Sequence, residues 1–300
     1  MRFDLLSQAI SEKTGAVIAT SIFGHPVDLD ALDCFRQAHP NIPILQDCAH
    51  SFFAQHSNGQ FVHKNGLCAF YGLNISKIMT SIFGGMVTTD DADFSERVRE
   101  ERQGLLKPTG FIFSIKRSLY LIAVLIAFYP AIYRLVNRLE RSGALNRFTK
   151  YYNKKIIDWP KNGFGWPAGI QARIGFIQCH RYQNIVDHRR KIANIYDREL
   201  QDMPNIVLPP REKGATYSHY VLQTERAEEI EDYMLKKGIQ LGRLIDYEVP
   251  DMPVYQDASY YGNRFSRGLP DRVINLPVYW GVTPKDALAI VENIKLCVSE

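Results

Sequence analysis

Apolar and polar positions along the first hundred residues follow two alternating periods. Ala16-Val17-Ile18-Ala19-Thr20 is a short apolar run that predicts a buried strand. Asp28 to Ala38 carries Leu29, Leu32 and Phe35 at helical spacing. Pro43-Ile44-Leu45 predicts a second strand, ending in the polar turn Gln46-Asp47. Leu67 to Tyr71 and Gly85-Met86-Val87-Thr88-Thr89 predict two more, and Asp91 to Gln103 a charged helix. This strand–helix rhythm predicts an α/β fold with a mostly parallel sheet flanked by helices. Ligands of such sheets bind beyond the carboxyl ends of strands, which is where Asp47 falls.

Residues 110–160 interrupt the rhythm. Leu119 to Tyr133 is free of charge and broken near its end by Pro130. From Glu101 to Pro160 there are eleven Lys/Arg against three Asp/Glu. Beyond this insert, Gly169 to Leu200 predicts a long helix, and Tyr217 to Gln223 alternates like a strand. Arg226 to Lys237 predicts a helix stopped by Gly238. Thr283-Pro284-Lys285-Asp286 has the N-cap, first-turn proline and capping-box acid that open a final helix. The predicted organisation is a partial large domain over 1–109, an apolar basic insert over 110–160, and an interface helix with a smaller α+β domain over 161–300.

Composition narrows the class of protein. A net charge of +4 over 300 residues is too small to argue for nucleic acid, and no zinc or helix-turn-helix pattern supports it. Five cysteines without metal-like spacing suggest free thiols in a reducing compartment. Met1 to Glu12 lacks the continuous apolar core of a secretory signal, so the expected location is cytoplasmic.

The chemistry concentrates in Gln46-Asp47-Cys48-Ala49-His50-Ser51 and in Ser76-Lys77, followed by Gly84-Gly85. A lysine in a partly desolvated site loses its proton readily and then attacks an aldehyde. A carboxylate at a neighbouring strand end can hold a proton on a pyridine nitrogen. Taken singly, Lys77 reads as a solvated surface charge, Asp47 as a helix cap and His50 as a satisfied core or surface histidine.

Together the motifs resemble the DegT/DnrJ/EryC1/StrS family of sugar aminotransferases. The resemblance runs through Gly24-His25-Pro26, Asp47-Cys48-Ala49-His50, Ser76-Lys77 and Gly84-Gly85-Met86-Val87-Thr88-Thr89. It continues in Gln171-Ala172-Arg173-Ile174-Gly175, in Arg189-Arg190-Lys191-Ile192-Ala193 with Tyr196, and in Leu276-Pro277. It implies the fold-type-I transferase architecture, incomplete at the N-terminus, and pyridoxal 5′-phosphate as cofactor. By resemblance, Lys77 would be the catalytic lysine that also anchors the cofactor, and Asp47 would face the pyridine nitrogen. His50 would sit near the ring, and Ser76 would be a further cofactor-binding residue. The implied reaction moves an amino group, typically from glutamate, to a nucleotide-linked keto sugar for a surface polysaccharide or glycan. The implied assembly is a homodimer.

The chain also departs from the family pattern. Gly72 stands where a phosphate-binding serine is usual, and Phe164 and Trp166 stand for an asparagine and an arginine. Ile78, Ile82 and Phe83 replace more polar residues. Residue 1 falls well inside the pattern, so its first strand, helix and Gly-Thr phosphate loop have no counterpart in 1–300. These departures leave a second expectation, a non-catalytic relative acting as a regulatory or partner subunit. Lysine at position 77 argues against the family's dehydratases, which carry histidine there. As a helix, Leu119 to Tyr133 would be about 22 Å long, short of the roughly 30 Å of bilayer hydrocarbon. With Lys116, Arg117, Arg134, Arg138 and Arg141 on its flanks it reads as an interfacial helix, giving peripheral contact with the inner membrane surface through 110–141. Burial in the core or in a dimer contact is the alternative.

Overall fold

Val17–Thr20 forms β1, Ile44–Asp47 β2, Cys68–Gly72 β3 and Gly85–Thr88 β4, in the spatial order β1-β2-β3-β4. The first three are parallel, and β4 runs antiparallel to β3. The computed structural model describes residues 1–142, 163–243, 252–255, 257, 259 and 268–299. The part of the insert at 143–160 therefore lies outside the described residues.

One face of the sheet is buried through Val17, Ala19, Ile44, Gln46, Ala69 and Tyr71. The other is partly open, with Ile18 53% and Val87 48% exposed. Rather than being buried on both faces, β1 alternates, because its side chains point to opposite sides of the pleat. α1 (Phe3–Ala9) and α2 (Leu29–Ala38) pack together through Phe3 and Phe35. The Asp28 side chain caps α2 by accepting from the Ala31 N–H at 3.0 Å. Nothing in the mixed sequence of Met1 to Glu12 had signalled α1. α3 (Ala92–Leu105) is a surface helix capped by Asp91.

The apolar insert forms two helices, not one. α4 spans Phe111–Ala127 and α5 spans Pro130–Arg141. Proline supplies no N–H and disfavours helical geometry at the residue before it, so the break falls just ahead of Pro130, which then opens α5. No described helix is long and apolar enough to cross a membrane.

α6 (Gly169–Leu200) links two cores. Its Tyr182 and Val186 pack with Phe52, Tyr71, Ile78 and Met79 beneath the sheet. Farther along, Ile192, Ala193, Tyr196 and Leu200 join the C-terminal core. That core lies among β5 (Tyr220–Gln223), α7 (Ala227–Lys236), β6 (Val273–Leu276) and α9 (Pro284–Ser299), with the short α8 (Leu269–Arg272) before β6. β5 is shorter than its sequence pattern predicts. Tyr217 has φ 47°, a left-handed conformation that a continuing strand cannot use. The predicted capping box appears at α9, where Asp286 accepts from the Thr283 N–H at 2.9 Å and the Thr283 hydroxyl accepts from the Asp286 N–H at 3.2 Å.

Candidate active site

Three segments that follow parallel strands converge at the carboxyl edge of the sheet. Phe23 lies in a 3-10 turn after β1, Asp47 ends β2 with His50 just beyond, and Lys77 lies in the loop after β3. The loop after β3 closes on itself: Leu73 N–H donates to the Gly84 carbonyl, Ser81 N–H to Leu73, and Lys77 N–H to Asn74. Ile78, Met79 and Ile82 are buried beneath it. Of the apolar replacements, Ile78 and Ile82 therefore form the loop's own footing. Ile82 adopts φ 71°, a costly conformation for a β-branched residue, so the surroundings must hold it there.

Lys77 lies against Gly72 and Ala49. A Cβ added at Gly72 would come 3.3 Å from Lys77 Cε and 3.7 Å from Ala49 Cβ. The departure at Gly72 thus leaves room for the lysine stem. Burial pulls the Lys77 ammonium below its usual pKa, and the charge of Asp47 opposes part of that shift. The two predicted residues are therefore close enough to sense each other electrostatically. Asp47 Oδ1 also accepts from the Ala49 N–H at 3.0 Å, which orients the carboxylate. Ser76 is placed differently. Its side chain is exposed, and its hydroxyl donates to Asn74 Oδ1 at 2.7 Å.

His50 faces a residue that sequence reasoning missed. The rings of His50 and His219 lie 4.9 Å apart, and Phe23 sits about equally far from both, at 6.0 and 6.1 Å. Burial, with the nearby Lys77 charge, drives His50 down to about 4. Burial, followed by the charges of His50, Arg189 and Lys77, drives His219 down to about 3. Both imidazoles are neutral near pH 7. Burial pushes the neighbouring Cys48 thiol up to about 12, which makes it an inert core group.

His219 arrives from the C-terminal core through several clamps. Arg189 donates to the carbonyls of Tyr217 and Ser218 at 3.1 and 2.7 Å, and Arg190 to that of Ala215 at 2.8 Å. Thr216 N–H donates to the Gly24 carbonyl at 2.9 Å. Gly24 has φ +92°, and a Cβ there would lie 2.6 Å from the Ser218 backbone nitrogen. Only glycine permits so close a crossing. The sequence motifs around Gly24 and Arg189-Arg190 are therefore the parts that join the two cores over the site. Gln171 does similar work at the start of α6. It donates to the Phe83 carbonyl at 2.9 Å and so ties that helix to the lysine loop. Phe164 and Trp166 pair instead with the segment at Lys107, through Lys107 N–H to Phe164 O and Trp166 N–H to Lys107 O.

The two depressed histidines give a pH prediction. In the unfolded chain each takes up a proton as pH falls through about 6.5, whereas the folded His50 resists until about 4. The unfolded state binds more protons across that window, so stability falls as pH drops. His50→Gln should remove one proton from this balance. The stability slope against pH, from urea melts between about pH 4.5 and 6, should become shallower by about 1.4 kcal/mol per pH unit. Identical slopes for the two proteins would mean that His50 titrates normally.

Comparison with known proteins agrees with this architecture. The sequence profile of the DegT/DnrJ/EryC1/StrS aminotransferase family matches residues 1–117 and 129–295. The chain is 24% identical over 294 residues to GDP-perosamine synthase of Escherichia coli O157:H7, covering 96% of this chain and 67% of that protein. It is 23% identical over 309 residues to the spore coat polysaccharide biosynthesis protein SpsC of Bacillus subtilis, covering 97% of this chain and 68% of that one. The crystal structure of the sugar aminotransferase CalS13 from Micromonospora echinospora superposes with a TM-score of 0.73 at 20% identity, covering 99% of this chain and 71% of that one. The likeness establishes the fold.

Proposed function

Because the chain belongs to the DegT/DnrJ/EryC1/StrS aminotransferase family, we propose that it transfers an amino group, from glutamate, to a keto sugar carried on a nucleotide. The observation that carries this reading is the pairing of a partly buried Lys77, its pKa lowered, with the carboxylate of Asp47 at the end of β2.

The residues present fit pyridoxal phosphate, the cofactor that family membership implies. Lys77 is a desolvated amine, Asp47 a fixed carboxylate, and His50 Nδ1 is a buried nitrogen without a hydrogen-bond partner among the described residues. When bound, the cofactor supplies an electron sink for the negative charge that develops at the substrate carbon. Lys77 Nζ would hold it, aided by the burial that favours the neutral amine. The same nitrogen takes and returns the proton at the substrate carbon. Asp47 would keep a proton on the ring nitrogen. His50 would lie near the ring, and Ser76, whose hydroxyl here donates to Asn74, would be a further cofactor-binding residue. Burial of Lys77 strengthens its electrostatic coupling to Asp47.

GDP-perosamine synthase and SpsC, by their names, support a nucleotide-linked sugar and a polysaccharide setting. The proposed assembly is a cytoplasmic homodimer, with residues 1–109 as the cofactor-binding part and 161–300 as an interface helix with the smaller C-terminal domain. Borohydride reduction of the protein loaded with pyridoxal phosphate, followed by peptide mapping, tests the reading. The pyridoxyl group is expected on Lys77. A label on another lysine would overturn the assignment, and no label at all would favour a non-catalytic subunit.

A further inference from the structure

α4 meets the rest of the protein along one narrow face. Arg117 lays its guanidinium over the rings of Phe83 and Phe113, at 4.3 and 4.6 Å. Tyr120 rests against Phe83 with ring centroids 4.9 Å apart. Phe113, Arg117, Tyr120 and Val124 recur at steps of three and four residues and are all half-buried, which marks the contact face. No residue of α4 is fully buried.

The outward face is apolar. Phe111, Ile115, Leu119, Ile122 and Ile126 repeat at the same spacing and are 80%, 43%, 60%, 52% and 52% exposed. α5 adds Ile132, Leu135 and Leu139, at 38%, 59% and 40%. Contiguous apolar surface of this kind marks an interaction site, because water solvates it poorly. The family match passes over residues 118–128. Residues 118–127 of α4 thus lie outside the part of the chain that the family profile matches.

Charge selects the partner. Between Glu101 and Glu140 the chain has no acidic residue, while Arg102, Lys107, Lys116, Arg117, Arg134 and Arg138 are basic. Lys116 and Arg138 are exposed beside the apolar stripe. A second copy of α4 would set one cationic helix against another. An anionic lipid surface complements both the stripe and its charge. Seventeen residues make α4 about 25 Å long, below the roughly 30 Å of bilayer hydrocarbon, so the helix would lie in the plane of the interface.

We infer that α4 and α5 form an interfacial anchor that lays this protein on an anionic phospholipid surface. The apolar stripe enters the acyl boundary, and Lys116 and Arg138 lie among the headgroups. The inference is independent of the proposed reaction.

Flotation of the full chain with phosphatidylcholine vesicles, with and without phosphatidylglycerol, tests it. The protein should float with the anionic vesicles alone and detach as salt is raised. Lys116→Glu with Arg138→Glu should lower the vesicle partition by at least roughly tenfold. The triple variant Leu119→Asp, Ile122→Asp, Ile126→Asp should lose flotation while keeping its oligomeric state in sedimentation. A reporter variant, Ile122→Trp, should be quenched by brominated lipid, and this needs no disruptive change. Failure of the unmodified chain to float, flotation equal to that of the triple variant, or an unquenched Trp reporter would each overturn the inference. Dissociation of an oligomer by the triple variant would assign the face to a second copy instead.

Discussion

Lys77→Ala is expected to lower amino transfer by about 10⁴-fold, because in the proposed reaction one nitrogen would serve both to attach the cofactor and to move the substrate proton. Burial lowers the pKa of that amine, and its neighbour His50 does not duplicate it, being a neutral imidazole with its own pKa driven down to about 4. Folding should change little. Lys77 is only half-buried, and the loop beneath it is held by Ile78, Met79 and Ile82 and by backbone bonds from Leu73 and Ser81. Chromatographic product analysis with glutamate and a nucleotide-linked keto sugar gives the rate, and a thermal melt gives the stability. A variant that retained even a tenth of the activity would remove Lys77 from the chemistry.

Asp47→Asn is the second large effect, expected at about 10²–10³-fold in rate, the range for losing one preorganised electrostatic partner. The amide keeps an oxygen that can still accept from the Ala49 N–H, the local bond that orients the side chain. It cannot carry the negative charge that holds a proton on a pyridine nitrogen. The loss should therefore appear in kcat, with a near-normal melting temperature. It should also raise the effective acidity of Lys77, because the Asp47 charge is what opposes burial there. Turnover at the unmodified rate would assign Asp47 a purely structural part.

Much of the fold was legible in local pattern. The strand at Val17–Thr20, the helix capped by Asp28, the long helix at Gly169–Leu200 and the capping box at Thr283–Asp286 all follow from periodicity and end signals. The orientation of β4 was not legible, since alternating apolar residues fit a parallel or an antiparallel neighbour equally well. The break between α4 and α5 was signalled by Pro130, but the early start of α4 at Phe111 was not. Phe111, Ile112 and Phe113 are uncharged aromatic and aliphatic residues that suit a strand as readily as a helix.

At the site, the sequence by itself determined which chemical groups are present and roughly where they fall on the sheet. Asp47 follows a strand, Lys77 sits in the next strand's loop, and linear order alone places both at one edge. Only the tertiary structure decided their surroundings. Phe23 and His219 meet His50 from segments nearly two hundred residues apart in the chain, through Gly24 and the clamps of Arg189 and Arg190. No local pattern encodes such a meeting, because it depends on how the two cores pack against α6. Burial is likewise a property of the surroundings. The same loss of water lowers the pKa of Lys77 and keeps His50 and His219 neutral, while Ser76 next to Lys77 remains in solvent. The apolar run at 119–133 was visible as composition, but which of its faces meets water was settled only where Arg117 and Tyr120 met Phe83.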